Sequence, residues 1–514
     1  MEKYFNITGP CIPEDHYMVD ITQKLEAIKK MIDRKFYFTI NRGRQYGKTT
    51  TLTALESYLK EDYTVISISF QGFGDASFES ERQFCQDFLQ TVAHYLSLSG
   101  QDDGWLNENI TTFSGLSRHL TKLCKGKSYV LMIDEVDQAS NHRVFLNFLG
   151  ILRDKFILRS KRQDFTFHSV ILVGVYDIKN IKLKMIQQGT HTIAEGERQY
   201  NSPWNIATQF NVNMAFSVEE IISMLKDYEQ EHQTGMDFSE IATEIDSYTN
   251  GYPVLVSALC RYIHEELDKR WTKEGVQEAV RRLVRETDNE LFKSLSQNLE
   301  NNDEVRDLLY GVLILGARRS FSALNPSVDL AYRYGYVQQI SERTQISNRI
   351  FEIAMTNYFI SKEESKLTDG YASEITRGGR FNMELCLKRF AIFWNEIYAD
   401  KEEKFLEKHC RLIFLAYLRP ILNGVGFSFI ETTFSDDRRM DLVVIYHQER
   451  FILELKTWKG QLYNEKGVEQ LLGYMQKSNE SKGYLLTFDF RKEPETFESK
   501  WREEGSSQVF EVRI

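Results

Sequence analysis

The stretch Phe36–Thr50 reads FYFTINRGRQYGKTT. Apolar Phe36, Phe38 and Ile40 alternate with other residues, the pattern of a strand with a buried face. The chain then turns through Gly43 and Gly47, and a helix is expected to open at Lys48-Thr49-Thr50. A strand, a glycine loop and a helix start together make a phosphate cradle. The loop amides and the positive end of the helix face the same anion. Lys48 reaches the terminal phosphates of such a ligand, and the Thr49 hydroxyl takes a place on Mg2+. The whole loop, Arg42, Gly43, Arg44, Gln45, Tyr46, Gly47, Lys48, Thr49 and Thr50, is therefore expected to contact ATP. The usual spacing G-x-x-x-x-G-K-[ST] asks for glycine where this chain has Arg42, with Gly43 one position late.

A second segment stands at the right distance. Tyr129–Ile133 is an apolar run that ends in Asp134-Glu135. It reads as a buried parallel strand delivering two carboxylates to its C-terminal edge, where ligands bind in open α/β sheets. Asp134 is expected in the Mg2+ shell, and Glu135 as the base that orients and deprotonates the attacking water.

Outward from these two segments, strands and helices alternate. Thr64–Phe70 and Ser169–Val175 read as further strands, and Phe84–Leu98 and Phe145–Phe156 as helices. That alternation predicts an α/β fold with a mainly parallel sheet. The end of the Val173 strand should lie beside Asp134, where Tyr176 or Asp177 is the nearest candidate to sense the γ-phosphate. From Ser217 the texture turns helical. Ser217 and Glu220 make a capping box, and Asn250-Gly251-Tyr252-Pro253 breaks the chain before the apolar helix Val254–Ile263. Tyr336–Ile340 and Ile346–Phe351, joined by Ser341–Gln345, suggest a hairpin wing in a small winged-helix module. Ser361–Arg380 is rich in charged and small residues and reads as a linker.

A chain of 514 residues, 42% hydrophobic and 27% charged, suits three or four globular domains. A net charge of −10 argues against coating nucleic acid over the whole surface, though not against a local basic groove. Six scattered cysteines without a C-x-x-C pair argue against a zinc or disulfide framework. The start MEKYFNITGP is not a secretory signal, and the longest apolar run, near Leu308–Ala317, is too short to cross a bilayer. A cytoplasmic protein with no membrane partner is expected.

After the linker comes a second chemistry. Asp441 opens a strand, Leu442–Ile445; His447–Arg450 turn; Phe451–Lys456 form the next strand. Period-two geometry puts Glu454 and Lys456 on one face, and a hairpin brings Asp441 to them. Two carboxylates at a sheet edge can hold Mg2+ or Mn2+, which polarises a phosphodiester and acidifies a bound water. Lys456 would position that water. Glu454 and Lys456 sit within apolar FILELKTW, where unpaired buried charge costs several kcal/mol. A helix, hairpin, helix order aims Glu407 upstream, a further metal ligand, and Gln470 downstream at the same edge. Lys388, Arg389, Arg438, Arg439, Lys456 and Lys459 are candidates for a phosphate-binding groove.

Both halves resemble known families. The loop Asn41–Thr50, NRGRQYGKTT, is similar to that of bacterial AAA-like ATPases related to STAND-type P-loop proteins. The opening Phe5-Asn6, Gly9-Pro10-Cys11 and His16-Tyr17-Met18 is similar to the segment before that loop in such proteins. The resemblance implies that His16 and Tyr17 lie near the nucleotide base. Gly251-Tyr252-Pro253 looks like the STAND G-x-P signature, which implies that Pro253 approaches the nucleotide. The C-terminal part resembles the PD-(D/E)XK nuclease superfamily through Asp441, Glu454 and Lys456, with Met440 in place of the motif's proline.

The implied fold class is α/β: a P-loop ATPase with a parallel sheet, then a helical and winged-helix region, then a C-terminal PD-(D/E)XK α/β nuclease domain. The expected domains are 1–216 (ATPase), 217–300 (helical lid), 301–365 (winged-helix-like), 366–381 (linker) and 382–514 (nuclease-like). The leading expectation is an ATP-controlled, metal-dependent nuclease acting on DNA before RNA. A homo-oligomer is expected, with a trigger protein or ligand and a role in defence against phage. Against it stands an ATP-dependent signalling or scaffold switch with an idle nuclease-like binding module. A DNA translocase ranks last, since no arginine finger or helicase motif series is evident.

Overall fold

Four strands run parallel in the first half: β1 (Tyr37–Asn41), β2 (Thr64–Ser69), β3 (Tyr129–Asp134) and β4 (Ser169–Gly174). Their order is β1-β4-β3-β2. The computed structural model describes residues 2–514 except 99, 101–103, 107–108, 140–141, 176–203, 287–288, 315–316, 318, 364–371, 399–402, 423–425, 430–441, 448 and 492–498. Every residue of β3 and β4 is buried, as a parallel sheet covered on both faces requires. Successive residues serve opposite cores. Tyr37, Leu131, Ile133 and Leu172 pack with Phe84, Phe88 and Phe148 of the helices Glu81–Leu98 and Arg143–Ser160. Phe38, Val130, Met132 and Ile171 pack with Ile28, Leu52 and Leu55 of Thr22–Asp33 and Lys48–Leu59. Each such side chain contributes roughly 1.5–3 kcal/mol on burial.

This order positions the first site. Strand β4 lies between β1 and β3, with Asn41 opposite Gly174 and Ile133 opposite Leu172. The loop after β1 and the carboxylates after β3 thus leave the same edge. Tyr176 and Asp177, the sensor candidates, lie outside the described residues.

The chain divides into two units, 1–233 with 252–257, and 234–251 with 258–514. The Ser217–Glu220 capping box forms on the helix Val218–His232, and Pro253 opens the helix Pro253–Glu266. In the second unit the hairpin expected as a wing is built differently. Strands β5 (Val337–Ile340) and β6 (Arg343–Ile346) are joined by Ser341 and Glu342 alone, both at positive φ (47° and 65°). Two left-handed residues close a two-residue hairpin turn, so pairing resumes at Arg343. Ile346–Phe351 does not stay extended, because Asn348 Oδ1 accepts from Phe351 N at 2.8 Å and opens the helix Arg349–Glu363. The charged segment read as a linker carries a short helix, Ala372–Ile375, anchored by fully buried Ile375.

The C-terminal sheet has six strands in the order β11-β12-β10-β9-β8-β7. These are β7 (Gly426–Phe429), β8 (Leu442–Tyr446), β9 (Glu449–Thr457), β10 (Lys482–Phe488), β11 (Lys500–Glu504) and β12 (Ser507–Arg513). Strands β9, β10 and β12 are parallel, and β8 is antiparallel to β9. The turn between β8 and β9 is tighter than expected, since β9 already begins at Glu449.

Candidate functional site: a phosphate loop and a carboxylate hairpin

Gly47 caps the helix Lys48–Leu59 at φ 72°, a left-handed conformation that glycine adopts without strain. A Cβ built there would lie 3.8 Å from the Pro253 ring. Lys48 is 9% exposed and its Nζ donates to the carbonyls of Gly43 (2.9 Å) and Arg42 (3.1 Å), so the loop folds over it. Thr49 Oγ1 donates to Asp134 Oδ2 at 2.7 Å, and Glu135 N donates to Asp134 Oδ1 at 2.8 Å. Two oxygen donors on different elements therefore already meet. Thr50 ties the loop to the N-terminal segment by accepting from Cys11 N at 3.1 Å. Tyr252 donates its hydroxyl to Arg44 O at 2.7 Å, and its ring meets Tyr46 edge-on at 4.6 Å.

Electrostatics follow from burial. Burial pushes the Lys48 ammonium below its usual pKa, opposed by the charges of Glu135, Asp134 and Asp137. Burial first, then the neighbouring Asp134 charge, lifts the Glu135 carboxyl above its usual value. Glu135 also sits at φ 53°, where a side chain costs of order 1–3 kcal/mol. Asp137 was not picked out from the sequence. Its carboxylate accepts from Val175 N at 2.5 Å and would crowd a Cβ at Gly174, so it pins the end of β4 to the loop after β3. The run Asp134-Glu135-Val136-Asp137 was the available signal.

A pocket is lined by Gln45, Tyr46, Gly47 and Thr50 of the loop together with apolar residues that include Tyr17, Val19, Met214, Phe216 and Pro253. Tyr17 donates to Glu231 at 2.6 Å. His16 does not line this pocket. Its Nδ1 accepts from Ile12 N at 2.9 Å and its ring packs edge-on against Tyr4, so it stabilises the turn before Tyr17.

In the C-terminal sheet Leu442, the residue after Asp441, pairs with Leu453, the residue before Glu454. Asp441 itself lies outside the described residues, as do Arg438 and Arg439. Glu454 has a side chain only 1% exposed, and its Oε1 meets Lys456 Nζ at 2.6 Å. The period-two expectation for this pair thus appears as one buried ion pair on β9. Glu407 falls on the helix Glu403–Leu422, at a position whose side chain is outside those described. Gln470 falls half-buried on the helix Gln461–Lys477. A Cβ at Gly467 of that helix would stand 3.3 Å from Lys456 Cγ, and Gln470 follows on the same helical side. Among the described residues, the basic candidates have different local partners. Lys388 stands over Phe510 and Arg389 pairs with Glu374, whereas Lys456 and Lys459 flank Tyr463.

A family model described as an AAA-like domain matches residues 15–313, more than half of the chain. The chain belongs to that family. A second model, the PD-(D/E)XK nuclease superfamily, matches residues 424–498 downstream of the AAA-like domain. Solved structures similar to this AAA-like chain include a Walker-type ATPase of Pyrococcus abyssi, at 13% identity over 68% of this chain and 99% of that one, TM-score 0.46. Another is the ORC2 protein of Aeropyrum pernix in its ADPNP–ADP complexes, at 12% identity over 69% and 97%, TM-score 0.35. A third is a RuvB point mutant of Thermotoga maritima, at 12% identity over 64% and 92%, TM-score 0.33. No curated protein matches the chain. Among the described residues, no helix is long and apolar enough to cross a membrane.

Proposed function

We propose that this chain binds and hydrolyses ATP and that its nucleotide state gates a metal-dependent phosphodiesterase in its C-terminal domain. The observation that carries the reading is the Glu454–Lys456 pair. A carboxylate 1% exposed and bonded to a lysine at 2.6 Å is a costly arrangement for a surface hairpin. It falls inside the segment matched as a PD-(D/E)XK nuclease.

At the first site the donors suit a hard cation, because a hydroxyl and a carboxylate converge at 2.7 Å. Thr49 and Asp134 would hold Mg2+ beside the phosphates. Lys48 would exchange its two loop carbonyls for phosphate oxygens. Glu135, with its raised pKa, would take the proton of the attacking water. The apolar lining with Tyr17 and Pro253 suits a base, and Pro253 beside Gly47 supports the STAND-type relation.

At the second site Asp441, Glu454 and Glu407 would hold Mg2+ or Mn2+. A divalent ion there supplies Lewis-acid polarisation of the phosphodiester and a more acidic water. Lys456 would orient the water and offset phosphate charge, and Gln470 would steady the same edge. DNA is the foremost substrate and RNA the second. Gating is supported inside the second unit, where Arg281 of the helix Lys273–Arg285 donates to His447 O at 2.8 Å, on the turn between β8 and β9. In this reading residues 1–216 hold nucleotide, 217–300 form the lid, 301–365 a winged-helix-like module, 366–381 a linker, and 382–514 the cutting domain. A cytoplasmic homo-oligomer released by a trigger protein or ligand, in defence against foreign nucleic acid, fits a nuclease that must be held in check.

The test is a cleavage panel. Purified chain is incubated with Mg2+ or Mn2+ and duplex DNA, single strands or RNA, with and without ATP. Cutting that changes with ATP and disappears in Asp441→Ala is expected. No cutting under any nucleotide condition would leave the switch with an idle binding module instead.

A further inference from the structure

Beyond the hairpin, the end of β9 and the residues after it bring aromatic and basic side chains together. Lys456 Nζ lies 5.8 Å from the Tyr463 ring centroid and Lys459 Nζ 5.9 Å from it. Tyr463 is 39% exposed, and Leu462 beside it is 83% exposed. Trp458 extends the ladder by donating its backbone N–H to Phe488 O at 2.7 Å. Its indole is faced by two guanidinium groups, Arg513 at 4.3 Å and Arg491 at 5.3 Å. Buried Asp489 grips Arg491 through both carboxylate oxygens, at 2.7 and 2.9 Å, and so fixes that arginine's direction while 45% of its side chain stays exposed. All of this stands at the C-terminal ends of β9, β10 and β12, the end at which Lys456 leaves the sheet.

Exposed cations alone would suit any phosphate backbone. An exposed ring among them asks for something more. Paired bases hide their faces in the stack, whereas an unpaired base offers a face to an aromatic ring, at any sequence. Leu462 enlarges the apolar side of the same patch.

We propose that this edge is a stacking platform for a single polynucleotide strand, with Tyr463 taking a base face and Lys459 and Arg491 taking the flanking phosphates. The proposal rests on the nuclease reading for its purpose and names the substrate form: a single-stranded or frayed segment led to Glu454 and Lys456. Tyr463 is a binding residue here, with no part in bond cleavage.

The test uses the full-length chain in EDTA, where cleavage cannot occur, with fluorescein-labelled dT15 and a duplex of the same length as probes. Anisotropy should show tighter binding of dT15 than of duplex. Tyr463→Ala should weaken dT15 binding roughly tenfold or more and leave duplex binding unchanged, while Tyr463→Trp restores it. Arg491→Ala should flatten the salt dependence by about 0.7 in log–log slope for each phosphate no longer neutralised. The platform is overturned if Tyr463→Ala changes neither probe, or both equally, while Tyr463→Phe melts like wild type. Cleavage assays separate the two readings. Cutting that ignores Tyr463 removes the platform and keeps the nuclease. Tyr463-dependent strand binding without cutting, in wild type with Mg2+ or Mn2+, removes the nuclease and keeps the platform.

Discussion

Replacing Lys456 by methionine keeps most of the side-chain volume and removes the cation that faces Glu454. Removing one partner of a buried ion pair costs about 3–5 kcal/mol, because the remaining charge is stranded away from water. Glu454 is 1% exposed but Lys456 is 17% exposed, so water reaches the cation's side and the lower end, about 3 kcal/mol, applies. For a domain of this size that lowers the melting transition by roughly 6–12 °C. Glu454→Gln combined with Lys456→Met removes both charges and should recover most of the loss. Calorimetry with and without Mg2+ adds the metal test. A stranded Glu454 gains more from a divalent ion than a paired one does, so Mg2+ should raise the transition more in Lys456→Met than in wild type, and not in the double variant. If Lys456→Met melts within about a degree of wild type, a resolution well inside that expected shift, the pair is not a buried one. If the Mg2+ shift survives Glu454→Gln, Glu454 is not a ligand.

The nucleotide site makes further demands. Because burial and Asp134 raise the Glu135 carboxyl, the folded chain favours its protonated form, so the stability tied to this group is present at low pH and lost as pH rises through the raised value. Glu135→Gln should therefore melt higher than wild type at mildly alkaline pH, the gap closing on acidification, and should hold ATP unhydrolysed; normal turnover would rule Glu135 out as base. Lys48→Ala should abolish binding of a fluorescent ATP analogue while the C-terminal transition in calorimetry stays in place; retained binding contradicts the phosphate role. Arg281→Ala removes the hydrogen bond to the His447 carbonyl at a cost of about 1–2 kcal/mol, and cleavage should then depend less on ATP. Unchanged ATP dependence would show that this hydrogen bond transmits nothing.

Much of the first site was legible because its chemistry is local. The strand, the glycines and Lys48-Thr49 are consecutive, and the alternation of apolar residues in Thr64–Phe70 is visible without knowing what covers it. Caps behave likewise: the Ser217–Glu220 box and the proline that opens Pro253–Glu266 need only their own neighbours. The wing was less legible. Its register hangs on two positive-φ residues, Ser341 and Glu342, and neither is a glycine. The resemblance put His16 near the base; in the fold its Nδ1 accepts from Ile12 N and its ring packs edge-on against Tyr4. Asp137 and the Trp458–Arg513 stack were missed because their partners are distant in sequence.

Composition and periodicity by themselves determined that this chain builds α/β layers, opens a helix at a phosphate loop and sets Glu454 and Lys456 on one side of a strand. Those properties depend on residues a few positions apart, and short-range sterics and hydrogen bonds decide them. Tertiary structure alone decided that β4 separates β1 from β3, so that Thr49 meets Asp134 across 85 positions. It alone decided that Pro253 returns to Gly47 and that two arginines close on one tryptophan. Such meetings are set by strand order and by which faces are left to pack, and packing is a property of the whole chain.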